Sequence, residues 1–171
     1  MTYIALMAVL ISVCSWLSVP AVIPFTMQTF GVFCALCLLG GKRGTTAVLL
    51  YILMGAVGLP VFSNFGGGIG KLLGPSGGYI VGFAFTALAY WGCTALLGEK
   101  TWVKALGLAA GLALCYTFGT LWFVKTYSGD SPMSIASALS MCVVPFILPD
   151  AVKLALALAA EKLLKKHIPN F

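Results

Sequence analysis

Long apolar runs, separated by short polar or glycine-rich breaks, set the pattern of this sequence. A bilayer core about 30 Å thick requires roughly 17 to 25 apolar residues per helix, and the runs approach or reach that length. The breaks therefore predict six membrane-spanning helices, at residues 3–19, 25–39, 44–59, 77–97, 105–124 and 150–164. The stretch 134–146 is also apolar but short for a span, so we expect a buried or partly re-entrant helix there.

Composition supports an integral membrane protein. Of the 171 residues, 61% are hydrophobic and 8% are charged, whereas a soluble domain carries charge at about a quarter of its positions. We expect a single all-α transmembrane domain over residues 1–171. The first run has no basic segment before it and no small-residue cleavage site before Pro20, so we interpret it as a retained span rather than a signal peptide.

The basic residues predict the orientation of the helices, because cytoplasmic connections are rich in Lys and Arg. With the N-terminus inside, the outer segments hold only Lys71 and Lys125. The inner segments hold Lys42, Arg43, Lys100, Lys104, Lys162, Lys165 and Lys166. Both termini are therefore expected in the cytoplasm. The net charge of +6 reflects this distribution, and we expect membrane lipid and not nucleic acid around the chain.

Few residues are available for catalysis, metal binding or nucleotide binding. The chain has four acidic residues and one histidine, and no nucleophile can be paired with a base, so we do not expect an enzyme. Cys34-x-x-Cys37 lacks a second pair of ligands for zinc. The Gly70-Lys71 segment lacks the following Ser or Thr and the earlier Gly of a phosphate-binding loop, so no cofactor is expected in this chain.

Small residues predict close helix packing at Gly78-x-x-x-Gly82 and at Gly107-x-x-x-Gly111. The first span carries a staggered row of small side chains, namely Ala5, Ala8, Ser12 and Ser15. For this row, a helix of a partner chain remains an alternative to packing within the chain. The segment 63–79 has 17 residues, of which seven are glycine. A connection of this length is commonly functional, and we favour a lid over a plain linker.

Asp150 and Lys153 stand out because they are ionisable residues at the head of the last apolar run. Asp150 follows Pro149, which suggests that it caps the start of a helix. Lys153 lies three residues later and so on roughly the same face. It can extend to the headgroups, or the pair can face the bundle interior and bind a small anionic solute. We favour ligand binding, since ionisable residues within spans are functional candidates.

Over most of its length, the sequence resembles the BioY family, the biotin-specific substrate-binding component of energy-coupling factor transporters. Five blocks carry the resemblance: IALMAVLISV in the first span, IPFTMQTFGVF at 23–33, LLGGKRGTTAVLLYILMGAVGLPVF at 38–62, LLGPSGGYIVGF at 72–83 and VPFILPDAVK at 144–153. The resemblance implies six helices with cytoplasmic termini, in the plasma membrane of a bacterium or archaeon. It also implies biotin capture near the outer face, a membrane coupling subunit and two ATP-hydrolysing subunits as partners.

The resemblance also implies roles for particular residues. Asp150 and Lys153 match the family's biotin-associated aspartate and lysine. Charge then suggests that Lys153 binds the valerate carboxylate and that Asp150 accepts a ureido N–H. We add six further candidate ligand-binding residues, namely Tyr79, Asn64, Gln28, Thr26, Ser76 and Gly78. Trp16, Phe25 and Phe62 are candidates for the apolar wall.

This chain departs from the family pattern at two positions. Pro149 replaces a common glycine, and the alanine pair expected in the first span reads Ala5-x-x-x-Val9. Ala8-x-x-x-Ser12 is the alternative small face toward the coupling subunit. Two other functions stay open: a transporter component for a different vitamin, and a membrane scaffold subunit that does not transport.

Overall fold

The computed structural model describes residues 1–19, 23–127 and 134–167, and its regular structure is almost entirely helical. The coarse all-α prediction is therefore confirmed. Two short strands, β1 (Ser18–Val19) and β2 (Phe25–Thr26), pair antiparallel. The helices are α1 (Thr2–Trp16), α2 (Gln28–Ala56), α3 (Ile69–Leu73), α4 (Gly77–Leu97), α5 (Thr101–Thr126), α6 (Ile135–Cys142) and α7 (Val144–His167), with a single 3₁₀ turn at Ser63–Phe65.

Helix α2 is a hairpin of two helices. Its continuity is broken at Gly40, whose backbone angles are φ 77° and ψ 175°, a conformation that is essentially restricted to glycine. A Cβ atom placed on Gly44 would lie 2.8 Å from Leu36 Cα, although eight residues of straight helix would hold the two positions about 12 Å apart. The segments 28–39 and 41–56 therefore fold back on each other, close to the predicted helices 25–39 and 44–59.

Helices α4 and α5 pack closely through their glycines. A Cβ atom on Gly111 would lie 2.7 Å from both Cα and the carbonyl oxygen of Thr86, and one on Gly82 would lie 2.6 Å from Cys115 Sγ. Thr86 Oγ1 also donates a hydrogen bond to Gly111 O at 3.0 Å. The two glycine patterns in the sequence thus mark the contact between two neighbouring helices of this chain.

The last helix begins earlier than the sequence suggested. Helices α6 and α7 meet at a bend of 41°, and α7 starts at Val144, so that Pro149 lies inside it. The interpretation of Asp150 as the cap of this helix is therefore wrong. A proline within a membrane helix is tolerated where neighbouring groups satisfy the freed backbone, and Asp150 is left free to use its carboxylate elsewhere.

A buried ion pair joins α5 and α7 at the end of the bundle that includes Gly40. Lys104 Nζ lies 2.5 Å from Glu161 Oε1 and 3.4 Å from Glu99 Oε2. Lys165 also bonds Glu161 Oε1, at 2.8 Å. The sequence placed Lys104 in a connection, but α5 begins at Thr101. Lys104 is therefore a helical residue, and its charge is balanced within the bundle.

Length and composition identify three helices that can span a membrane: α2, α4 and α5. The bent pair α6–α7 qualifies as a fourth, while α1 is a shorter apolar helix of 15 residues. Within the described ranges, these criteria alone give fewer than the six predicted spans, because they count the α2 hairpin as one element and leave out α1 for its length.

The contact between α4 and α5 generates a stability prediction. Replacing Gly111 with Ala brings a methyl group against the backbone of Thr86, so we expect a loss of about 1–3 kcal/mol. Gly92 in α4 is the matched control, because a Cβ atom there meets no neighbouring atom of the described residues within 4 Å and Ala is the better helix former. Thermal unfolding of both variants in detergent measures the difference. Equal midpoints for the two variants would contradict the close packing.

Candidate functional site

A cavity opens between α2, α4, α5 and the α6–α7 pair, at the end of the bundle opposite the Lys104–Glu161 pair. The polar lining residues are Thr26, Gln28, Thr29, Ser63, Ser76, Tyr79, Tyr116, Asp150 and Lys153. The remaining lining residues are Ile23, Pro24, Ile80, Phe83, Leu112, Cys115, Cys142 and Phe146. Such a mixture of an apolar wall with a few polar groups is typical of small-molecule sites.

Asp150 and Lys153 form an ion pair in this cavity. They lie one turn apart on α7, with Lys153 Nζ 2.7 Å from Asp150 Oδ1. Asp150 is 2% exposed and Lys153 is 4% exposed. Burial of either charge alone costs several kcal/mol, whereas a paired and hydrogen-bonded charge is tolerated. The two residues are therefore mutually dependent.

Neighbouring groups complete the hydrogen bonds of this pair. Lys153 Nζ donates to Thr26 O at 2.7 Å and to Thr29 Oγ1 at 3.1 Å, in addition to Asp150. Because an ammonium has three hydrogens, its donors are all used. Asp150 accepts from Thr29 Oγ1 at 2.8 Å and from the Tyr116 hydroxyl, through Oδ2, at 2.6 Å. A carboxylate has about four acceptor positions, so Asp150 keeps one for a further donor.

Phe25 covers the ammonium group. Lys153 Nζ lies 4.5 Å from the centroid of the Phe25 ring, within the range of a cation–π interaction. The Phe25 ring in turn stacks on Phe146 at 5.8 Å between centroids. Phe25 was expected in the apolar wall of the cavity. Its ring instead lies outside the cavity and covers the Lys153 ammonium from that side. Trp16 and Phe62 also lie elsewhere, Trp16 at the surface and Phe62 in the core.

Six of the eight predicted ligand-binding residues line the cavity: Asp150, Lys153, Tyr79, Gln28, Thr26 and Ser76. Two do not. Asn64 is exposed, and its Oδ1 accepts from the Ser18 hydroxyl at 3.2 Å. Gly78 is buried against Trp122, where a Cβ atom would overlap the indole ring. Whether each lining residue contacts a ligand stays a prediction.

Sequence reasoning missed Thr29 and Tyr116, the two side chains that hold Asp150. Thr29 lies in the quoted block IPFTMQTFGVF, directly after Gln28, so its position beside two predicted residues was a usable signal. Tyr116 is near the middle of α5 and is 34 residues from Asp150 in sequence. Only the packing of α5 near α7 brings them together, and no local pattern indicates it.

Helix α1 exposes one of its two small-residue faces. Ala8 and Ser12 are buried within the chain, and Ser12 Oγ donates to Ala8 O at 2.9 Å. Ala5 and Val9 are exposed. The face of Ala5 and Val9 is therefore available to another helix, and the alternative face of Ala8 and Ser12 is not.

Comparison with known proteins assigns this fold and sequence to a family. The sequence model of the BioY family matches residues 1–170. The chain belongs to the BioY family. It is 43% identical over 162 residues to "Biotin transporter BioY" of Thermotoga maritima, covering 92% of this chain and 90% of the relative. It is 38% identical to "Probable biotin transporter BioY" of Pyrococcus horikoshii, covering 94% and 93%.

A solved structure extends the likeness to the fold. The chain superposes with a TM-score of 0.85 and 27% identity on a structure described as the S-component for biotin from an ECF-type ABC transporter. The match covers 96% of this chain and 89% of the other. The helical arrangement around the cavity is thus that of a substrate-binding component in a multi-pass membrane protein.

The mutual dependence of the charged pair generates a second prediction. We expect Asp150→Asn or Lys153→Met alone to cost up to about 3–5 kcal/mol of stability, because each leaves a buried charge without its partner. The double variant should lose less than the sum of the two single losses. Unfolding of all three proteins in detergent gives the coupling energy. Strictly additive losses would show that the two charges do not stabilise each other.

Proposed function

We propose that this BioY family member captures biotin in the cavity beside Asp150 and Lys153, as the substrate-specific subunit of an ATP-driven uptake transporter. The observation that carries the proposal is the buried ion pair in a small-molecule cavity, in a chain whose relatives are biotin transporters. Biotin joins an apolar ring and chain to a ureido group and a carboxylate, which suits an apolar wall with few polar groups.

The chain crosses the membrane six times, with both termini in the cytoplasm. Support for six crossings comes from the reversal of α2 at Gly40, which turns one long element into two. Helix α1, the two segments of α2, α4, α5 and the bent α6–α7 pair then give six. Support for the orientation comes from six basic residues on the predicted inner side, with the buried Lys104 left out, against two on the outer side. The cavity then lies near the outer face.

The hydrogen bonds of the pair suggest which part of the ligand each of the two residues binds. Asp150 has a remaining acceptor position on Oδ2, which suits a ureido N–H. Lys153 has no free donor, so the valerate carboxylate must replace an acceptor that Lys153 already has. The Thr29 hydroxyl is the most readily replaced, because its distance of 3.1 Å is the longest of the three. Lys153 thereby exchanges a neutral acceptor for a charged one, and a bond between two ionised groups is the stronger of the two.

The connection between α2 and α4 forms a lid over the cavity. Ser63 and Ser76, near its two ends, line the cavity. The connection is attached to α1, since Trp16 Nε1 donates to Pro60 O at 2.8 Å and the Trp16 ring stacks on Phe65 at 5.1 Å. These contacts support a lid that is anchored at one side.

Transport requires partners that this chain does not supply. We infer a membrane coupling subunit and two ATP-hydrolysing subunits, since the sequence has no nucleotide-binding motif and the structural relative is a component of an ECF-type ABC transporter. The coupling subunit contacts the exposed face of α1 that carries Ala5 and Val9. In lipid, such a face allows close approach of another helix.

Biotin titration of the purified protein tests the proposal. We expect tight binding by the wild type, and a loss of about 1.5–3 kcal/mol in Asp150→Asn and in Lys153→Met, because each removes a charged hydrogen-bond partner. Calorimetry in detergent gives the dissociation constants. Lys125→Met is the control, since Lys125 is an exposed lysine outside the cavity at the end of α5.

The other outcomes separate the alternatives. A folded wild type that ignores biotin would overturn the assignment, and competition among other vitamins would then identify a sibling substrate. Unchanged binding in both charge variants would keep biotin as the ligand and remove the pair from its recognition. Binding of no vitamin at all would favour a scaffold subunit.

A further inference from the structure

Gln28 presents its side-chain amide at the cavity wall, and the structure indicates which end of the amide faces inward. Gln28 is 5% exposed and lines the cavity. Its position at the start of α2 is fixed by its backbone N–H, which donates to Thr26 Oγ1 at 3.2 Å. An amide has a donor end and an acceptor end, so the chemistry of this wall depends on how the amide is turned.

Tyr51 binds the donor end of that amide. Gln28 Nε2 donates to the Tyr51 hydroxyl oxygen at 2.7 Å. Tyr51 is fully buried, and its ring packs edge-on against Phe62 with the centroids 5.5 Å apart. A Cβ atom on Gly55 would overlap the Phe62 ring, so Phe62 has little room to move. The Tyr51 hydroxyl is therefore held in place.

The direction of this hydrogen bond follows from the amide atom that lies beside the hydroxyl. An amide nitrogen carries hydrogens and does not accept, so Gln28 Nε2 donates and the Tyr51 oxygen accepts.

The amide oxygen of Gln28 is consequently turned away from Tyr51. Across residues 1–19, 23–127 and 134–167, no donor lies within hydrogen-bond distance of Gln28 Oε1. This oxygen is not fully enclosed by protein atoms, so it borders free space. The cavity thus has a neutral acceptor on α2 in addition to the charged acceptor on α7.

We propose that Tyr51 is a positioning residue that keeps the Gln28 amide oxygen toward the cavity, and that Gln28 thereby reads one N–H group of the ligand. The proposal rests on biotin as the substrate and extends it. A cyclic urea has two N–H groups, and Asp150 and Gln28 can each accept from one of them. Asp150 reads one and Gln28 reads the other. Turning the amide over would place the Gln28 NH₂ group against the ligand N–H. The hydrogen bond to Tyr51 would then be lost, and a buried donor would be left unpaired.

Two analogues of biotin test the proposal, each a cyclic carbamate with one of the two ureido N–H groups replaced by a ring oxygen. Wild-type protein should bind each carbamate about tenfold to a hundredfold less tightly than biotin, because an acceptor is left unpaired. In Tyr51→Phe the amide of Gln28 is free to turn its NH₂ group toward the ring oxygen. The affinity for one carbamate should then come within about threefold of the affinity for biotin. The carbamate that lacks the N–H bound by Asp150 should still bind less tightly than biotin.

Tyr90→Phe is the matched control. Tyr90 is as fully buried as Tyr51, but its hydroxyl has no hydrogen-bond partner in the described part of the chain. Its removal should leave the affinities for all three ligands unchanged. If Tyr51→Phe does not fold, Gln28→Met replaces it, because removal of the amide acceptor should abolish discrimination against the same carbamate.

Each result has a distinct meaning. A uniform loss of affinity for biotin and both carbamates in Tyr51→Phe would assign Tyr51 a structural role only and overturn the proposal. The same holds if the wild type binds biotin tightly but accepts both carbamates equally well. Absence of biotin binding by the folded wild type would instead remove the proposed function itself.

Discussion

The ion pair of Asp150 and Lys153 is the interaction on which the cavity depends. It is formed within one turn of one helix, yet it needs groups from two others: the Thr26 carbonyl and the Thr29 hydroxyl beside the start of α2, and the Tyr116 hydroxyl from α5. A charge that is removed from water must be compensated by such partners. The pair therefore fixes where α2, α5 and α7 meet, and the space between them is the site.

The same physical requirement explains the composition of the cavity wall. Polar groups on the wall are concentrated around the charges and at the start of α2, and the remaining surface is apolar, with residues such as Phe83 and Leu112. An apolar wall strengthens each hydrogen bond that a ligand makes, because water cannot compete for it. It also makes an unmatched polar group on a ligand costly. Selectivity then arises from a small number of well-positioned acceptors and donors.

The sequence was most informative where a single local signal decides the structure. Apolar runs located α4 to the residue, and the breaks near Gly40 separated the two segments that the structure shows as a hairpin. The charged pair at 150 and 153 was visible because ionisable residues in an apolar run are rare. The start of α7 was misjudged because Pro149 was taken as a boundary, whereas a membrane helix can contain a proline.

The features that could not be predicted depend on contacts between distant segments. Tyr116 reaches Asp150 only because α5 crosses near α7, and Gln28 meets Tyr51 only because α2 reverses at Gly40. Local periodicity is insensitive to such pairings, since it reports which face of a helix is buried and not what that face meets. Asn64 shows the same limit: its polar character and its place in the glycine-rich connection suggested a ligand contact, and nothing local indicated that its Oδ1 accepts from Ser18 at the surface.

Helix α7 holds a buried charge pair near each end, and this limits how the protein can move. Asp150 and Glu161 are eleven residues apart, close to three full turns, so they project from the same side about 16 Å from each other. A rotation of α7 about its axis, or a shift by one turn, would break its two bonds to α5 at once, from Tyr116 to Asp150 and from Lys104 to Glu161. The register of this helix is thus locked at two points. Movement of α7 against α5 would therefore cost both contacts, whereas movement of the two helices together keeps them.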